Sequence, residues 1–191
     1  MQKKILHITP HMGGGVGAVL RSYFAWELKL DQNLHTLVSL DSINESTIQY
    51  LKENNIEYLA NAYNNKDEMK FLLIHADIVL VHWWNHPLLQ DLIYNYEFPD
   101  CRLIFWSHIS GQQTPNIISE YALDLPEEFV FTTPLSRFSP SVVAYNSRSN
   151  KKQEYIWSTV GSEIIKNYSN LENISRISNK KYHIGYVGNL D

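Results

Sequence analysis

Lys4-Ile5-Leu6-His7-Ile8-Thr9-Pro10-His11-Met12-Gly13-Gly14-Gly15-Val16-Gly17 decides how this chain folds. Its opening is a short run rich in β-branched residues that Pro10 ends, and four glycines follow within five positions, so a strand leading into a tight turn is predicted. Beyond the glycines, Val16, Val19, Leu20, Tyr23 and Phe24 recur at the spacing that lines one helical face. The unit is strand, glycine turn, helix. Glycines at such a turn let a ligand come close to the backbone, and the free N–H groups and dipole at a helix start favour phosphate. A tight turn alone needs fewer glycines than this.

Outward from that unit the alternation continues. Strands are predicted over residues 36–40, 56–59, 78–82, 102–107 and 129–132, and helices over 46–53, 66–75 and 87–94. This order predicts an α/β domain, Rossmann-like and doubly wound on a mainly parallel sheet. The nearly all-apolar run 78–82 is expected to be buried on both faces, as parallel strands are. Residues 165–181, rich in Asn and Ser, read as a linker, and 182–191 read as an apolar strand entering a glycine turn. The domain is therefore expected over 1–164, and 182–191 either pairs with it or is the first strand of a second domain whose remainder is missing.

The chain has 191 residues and a formal net charge of -4, which fits one globular domain and argues against a dedicated nucleic-acid binder. Its single cysteine, Cys101, cannot form an intrachain disulfide, and no apolar run approaches the ~20 residues of a membrane span. No signal peptide fits the start, where His7, Thr9 and Pro10 interrupt the apolar stretch. A cytoplasmic location is expected.

Open α/β sheets bind ligands at the carboxyl ends of their strands, near the point where strand order reverses. That rule selects His11 to Gly17, Asp41, His82 to His86, Ser107 to Gly111 and Thr133 to Arg137. The dinucleotide fingerprint G-x-G-x-x-G is met only in its first half by Gly15-Val16-Gly17, with Leu20 in the third glycine's place. Asp41 is the one acidic residue loosely at the ribose-binding offset. His82 and His86 have the i, i+4 spacing of a helical metal pair, but a strand end precedes them and a third ligand is lacking. Trp83 and Trp84 cannot both face inward on a strand, so one of them is expected to border the cleft, where an indole can stack on a sugar. His108, at a strand end beside Ser107 and Ser110-Gly111, is placed to donate a hydrogen bond or move a proton. Arg137, Arg148, Lys151 and Lys152 offer a local basic rim. Serine-hydrolase elbows, zinc motifs and Asp-x-Asp are absent from the sequence.

The opening stretch closely resembles the start of glycosyltransferase family 4 enzymes of the GT-B fold. The resemblance continues through Ile78-Val79-Leu80-Val81-His82, Leu103-Ile104-Phe105-Trp106-Ser107-His108, Thr132-Thr133-Pro134-Leu135-Ser136 and Ile184-Gly185-Tyr186-Val187-Gly188-Asn189-Leu190-Asp191. It implies one half of a GT-B architecture: the acceptor-side domain of a retaining glycosyltransferase that moves a sugar from a nucleotide-sugar donor to a glycan or lipid-linked glycan acceptor. By the same resemblance, Gly13, Gly14, Gly15, Val16 and Gly17 lie over the donor phosphates, and His108 is the catalytic-site histidine that contacts the donor sugar. His11, Trp83, Trp84, Asn85 and Arg137 are expected to form the acceptor wall. No metal and no cofactor beyond the nucleotide sugar is implied, nor is a nucleic-acid partner. Polysaccharide biosynthesis is the implied setting, with peripheral contact at the inner face of the membrane as an open option. The family's donor-binding glutamate pair has no counterpart up to Asp191, so this chain alone is expected to be inactive. Two alternatives stand beside this: a nucleotide- or dinucleotide-binding module that uses Asp41, and a non-catalytic carbohydrate-binding domain.

Overall fold

The computed structural model describes residues 2–151 and 153–156. Strands β1 (Lys3–Thr9), β2 (Asn33–Ser39), β3 (Glu57–Leu59), β4 (Ile78–Trp83), β5 (Leu103–Ser107), β6 (Glu128–Phe131) and β7 (Gln153–Tyr155) form a seven-stranded sheet in the order β3-β2-β1-β4-β5-β6-β7. Every pairing in it is parallel. Helices α1 (Gly14–Leu30), α2 (Glu45–Glu53), α3 (Lys66–His75), α4 (Pro87–Asn95), α5 (Glu120–Asp124) and α6 (Pro140–Asn146) connect the strands. The chain is a doubly wound, Rossmann-like α/β domain. Its order reverses at β1, whose neighbours are β2 and β4.

The two faces are covered unequally. Leu6, Ile8, Val79, Val81, Trp83, Phe105 and Phe129 pack under residues of α3 to α6, among them Leu73, Leu92, Leu123 and Val142. On the opposite face Leu20 and Phe24 of α1 meet Leu37 of β2 and Leu51 of α2. In β4, Val79, Val81 and Trp83 are buried on one face, while on the α1 face Ile78 and Leu80 are half-buried and His82 is buried. The expectation that this strand is buried on both faces holds in full on the first face and at His82 on the second.

Local chemistry explains the boundaries. The Asn44, Ser119 and Ser139 side chains accept the N–H of Thr47, Ala122 and Val142 and so start α2, α5 and α6. Pro87 and Pro140 stand in the first turns of α4 and α6, where a missing N–H costs nothing. The short α5 and α6 and the polar edge strand β7 are additions to the predicted elements. The expected linker and second-domain strand, residues 165–191, lie outside the described residues, as does the end of the expected domain. No helix among the described residues is long and apolar enough to cross a membrane.

Candidate functional site

The glycine stretch is less a loop than a helix start. Gly13 is the N-cap of α1, Gly14 and Gly15 form its exposed first positions, and no side chain caps it. The Gly17 N–H donates to Gly13 O at 3.2 Å, and among the described residues no protein acceptor meets the N–H groups of Gly14, Gly15 or Val16. Such orphan donors, with the positive end of the helix dipole and no acidic residue in the first turn, make an anion-attracting surface. The glycines have different causes. Gly14 has φ 60°, which a side chain rarely adopts. Gly17 is buried against Met12, where a Cβ would lie 2.0 Å from the carbonyl oxygen. Gly15 has neither cause: a Cβ there would meet nothing within 4 Å and its φ is ordinary. Of the stretch, Gly14 and Gly15 are open to solvent and Val16 is half-buried, whereas Gly17 serves packing.

Beside this helix start the ends of β1, β4 and β5 converge. The His11 ring lies 5.7 Å from Trp84 and 5.5 Å from His86, both edge-on, and Trp84 lies 6.4 Å from His108. All four side chains are half-buried, so each presents part of its surface to the sheet edge. His11 Nδ1 accepts from the Gly13 N–H at 3.1 Å, which ties this ring to the glycine turn. His86 Nδ1 accepts from the Leu88 N–H at 3.3 Å and starts α4, and burial lowers its pKa. His82 and His86 therefore point to different places, one inside β4 and one at the helix cap.

Trp83 is fully buried and stacks on Phe105 at 5.8 Å, so of the tandem indoles Trp84 alone borders the edge. Its placement in the acceptor wall is corrected by the alternation of β4. The Asn85 amide donates to Pro115 O and, at 3.3 Å, to Ile117 O, which makes it a tie between the β4 end and the following loop. Arg137 is exposed and stands over the Tyr155 ring at 5.0 Å, on the β7 side of the sheet. Arg148 pairs with Glu120 and Lys151 bonds Asp124 O, so these members of the expected basic rim are dispersed among local partners, and Lys152 lies outside the described residues. A cavity of about 320 Å³ opens at β3 instead, lined by Thr36, Tyr58, Leu59 and Leu72 together with Glu57 and Glu68. It gathers no cluster of polar groups comparable with the β1–β4–β5 edge.

Behind His108 runs a feature absent from the predictions. His108 Nε2 lies 3.0 Å from His82 Nδ1, His82 Nε2 lies 3.1 Å from His7 Nδ1, and His7 Nε2 lies 2.9 Å from His35 Nδ1. His35 Nε2 then faces Glu27 Oε2 at 3.5 Å. The row arises from register. His7 pairs with Leu37 and Leu80, and His82 with Trp106, so each histidine is two residues further along its strand than its neighbour and all four share the α1 face. Burial pushes the His7 and His82 pKa values well down, adjacent histidines adding to the effect, and it lowers His108 to about 4. Burial also lowers His35, against the opposing pull of Glu27. Burial therefore favours the neutral form of all four rings.

No family model and no curated protein matches the chain. Among solved structures it is similar to the hypothetic protein SMU.573 from Streptococcus mutans, at 17% identity and a TM-score of 0.40, covering 68% of this chain and 58% of that one. The chain thus spans less than two thirds of the length of that protein.

Proposed function

We propose that this domain is the acceptor side of a nucleotide-sugar-dependent glycosyltransferase of GT-B type, with the α1 start turned toward phosphate and Trp84, His11 and His108 around the sugar. The observation that carries the proposal is Gly15. Neither conformation nor crowding within the chain asks for a glycine there, so the missing Cβ is explained by what approaches from outside. Backbone N–H groups at that place would stabilise negative charge on a departing nucleotide. The edge of half-buried aromatic and imidazole rings suits a sugar, which presents an apolar face and a rim of hydroxyls.

Gly15→Ala is the direct test. The variant keeps the wild-type fold and its stability is equal or raised by up to ~1 kcal/mol, because Ala is the better helix former. Titrated with uridine diphosphate and followed by amide chemical shifts, the wild-type domain responds at Gly14, Gly15 and Val16 with a dissociation constant of about 1 mM, some -4 kcal/mol. Gly15→Ala loses that response. Equal shifts in both proteins would remove the phosphate role, and micromolar binding by this domain alone would contradict its assignment to the acceptor side.

Asp41 supports a second function, a nucleoside-binding module. It lies two residues past the end of β2, and its N–H donates to Pro10 O at 2.9 Å, which holds it beside the glycine turn. An acidic residue there suits a ribose. Leu20, buried in place of the third glycine, weighs against close helix–strand packing of the dinucleotide kind. NAD affinity that Asp41→Ala abolishes would select this function, and its absence from the wild type excludes it.

A further inference from the structure

We infer that Glu27 fixes which nitrogen of His108 faces a ligand, acting through the hydrogen-bonded row His35–His7–His82. The inference rests on the geometry of the row and on His108 standing at the ligand edge; it does not require glycosyl transfer.

A neutral imidazole carries one N–H and one lone pair, so a hydrogen bond between two such rings uses a donor from one and an acceptor from the other. In a chain of rings each choice dictates the next. The row has only two consistent states: every ring protonated at Nε2, or every ring protonated at Nδ1. Its inner end decides between them. Glu27 is buried and is already the acceptor for Tyr23 Oη at 3.4 Å and Asn33 Nδ2 at 3.2 Å. Across 3.5 Å His35 Nε2 has no hydrogen-bond partner, but the negative carboxylate it faces attracts an N–H and repels a lone pair, so its charge favours the N–H on His35 Nε2. His35 Nδ1 is then an acceptor for His7 Nε2–H, His7 Nδ1 for His82 Nε2–H, and His82 Nδ1 for His108 Nε2–H. The outer end sets no competing demand, because His108 Nδ1 has no protein partner among the described residues and is not sealed from solvent.

The chemical consequence lies at the edge. His108 presents Nδ1 as a lone pair, so it accepts a hydrogen bond from a ligand hydroxyl and does not donate one to a ligand oxygen. Glu27, His35, His7 and His82 are positioning residues for it. Tyr23 and Phe24 of α1 pack on the His7 ring at 5.5 and 4.9 Å, and Trp106 packs on His82 and His108 at 5.6 and 5.1 Å. These aromatic walls exclude water that would otherwise relax the coupling between rings.

The test is two-bond ¹H–¹⁵N correlation spectroscopy of histidine-labelled protein at pH 7.5, which reports directly which ring nitrogen is protonated. In the wild type His35, His7, His82 and His108 each show a single Nε2–H tautomer. In Glu27→Leu, His108 changes from that single state to a mixture, although the substitution lies three rings away; Glu27→Asp restores it. A mere packing role for Glu27 predicts no change in the His108 tautomer. Any of the four rings protonated at Nδ1 in the wild type overturns the inference, so the wild-type spectrum decides even where Glu27→Leu fails to fold. An unchanged His108 in folded Glu27→Leu overturns it as well.

Discussion

Lowering the pH from 7 toward 5 is expected to unfold this domain steeply. His7, His82 and His108 have folded-state pKa values below the ordinary histidine value of 6.5 because burial penalises the imidazolium. Above that value both folded and unfolded chains hold these rings neutral and stability is fully present. Below it the unfolded chain takes up protons that the folded chain refuses, so stability is lost as pH falls, for His108 down to its folded value of about 4. The loss grows with every ring that refuses its proton, and three rings draw together on a total stability of only roughly 5–15 kcal/mol for a domain. Urea midpoints at pH 7.5, 6.5, 6.0 and 5.5 would measure the slope. A midpoint that stays level across this range would show that the row is charged or solvated in the folded state.

Gly17→Ala is expected to cost about 3 kcal/mol or more, beyond the usual range of overpacking, because the added Cβ meets backbone and not a flexible side chain. It would stand 2.0 Å from Met12 O and 2.5 Å from Met12 C. Met12 cannot retreat easily. Its side chain is buried with Leu20 and Phe24, and the turn around it is fixed by Thr9 Oγ1 donating to His11 O at 3.0 Å and by the Gly13 N–H on His11 Nδ1. Relief requires α1 to move away from β1, which carries the Gly14 and Gly15 amides out of place. Denaturant unfolding should therefore separate the two glycine variants: Gly17→Ala loses stability, while Gly15→Ala keeps it and loses the anion. Gly17→Ala within about 1 kcal/mol of wild type would show that the turn yields and that Gly17 is dispensable for packing.

The fold was legible where periodicity and punctuation agree. The helix at 66–75 and the strands around residues 80 and 105 carry clear apolar patterns, and the glycines after Thr9 mark the first crossover. The Ser139-Pro140 pair, a cap followed by a first-turn proline, would have found α6. By contrast β7, Gln-Glu-Tyr, has no apolar signal to read. At the site, His11, Trp84, His108 and the helix start were visible because all follow strands. The histidine row was not, because its members are separated by 28, 75 and 26 residues along the chain. Their common face depends on strand order and register, which periodicity within a single strand does not encode. Trp83 was misplaced for a related reason: alternation says that one of two neighbouring indoles turns outward, and only the position of the core says which.

The pairing of β1 with β4 has a consequence for how the molecule comes together. Lys4 N–H bonds Asp77 Oδ2 at 2.8 Å across 73 residues, while β1, β2 and β3 are joined by nearer neighbours in sequence. Closing that loop costs chain entropy before the contacts of the β1–β4 ladder offset it. The helix start belongs to the chain's beginning and Trp84 and His86 to its middle, so these come together only when β4 joins β1, and His108 needs β5 as well. A partly folded chain with β1 to β3 in place would have the amides of α1 but no opposite wall, so the two sides of the edge face each other only in the completed sheet.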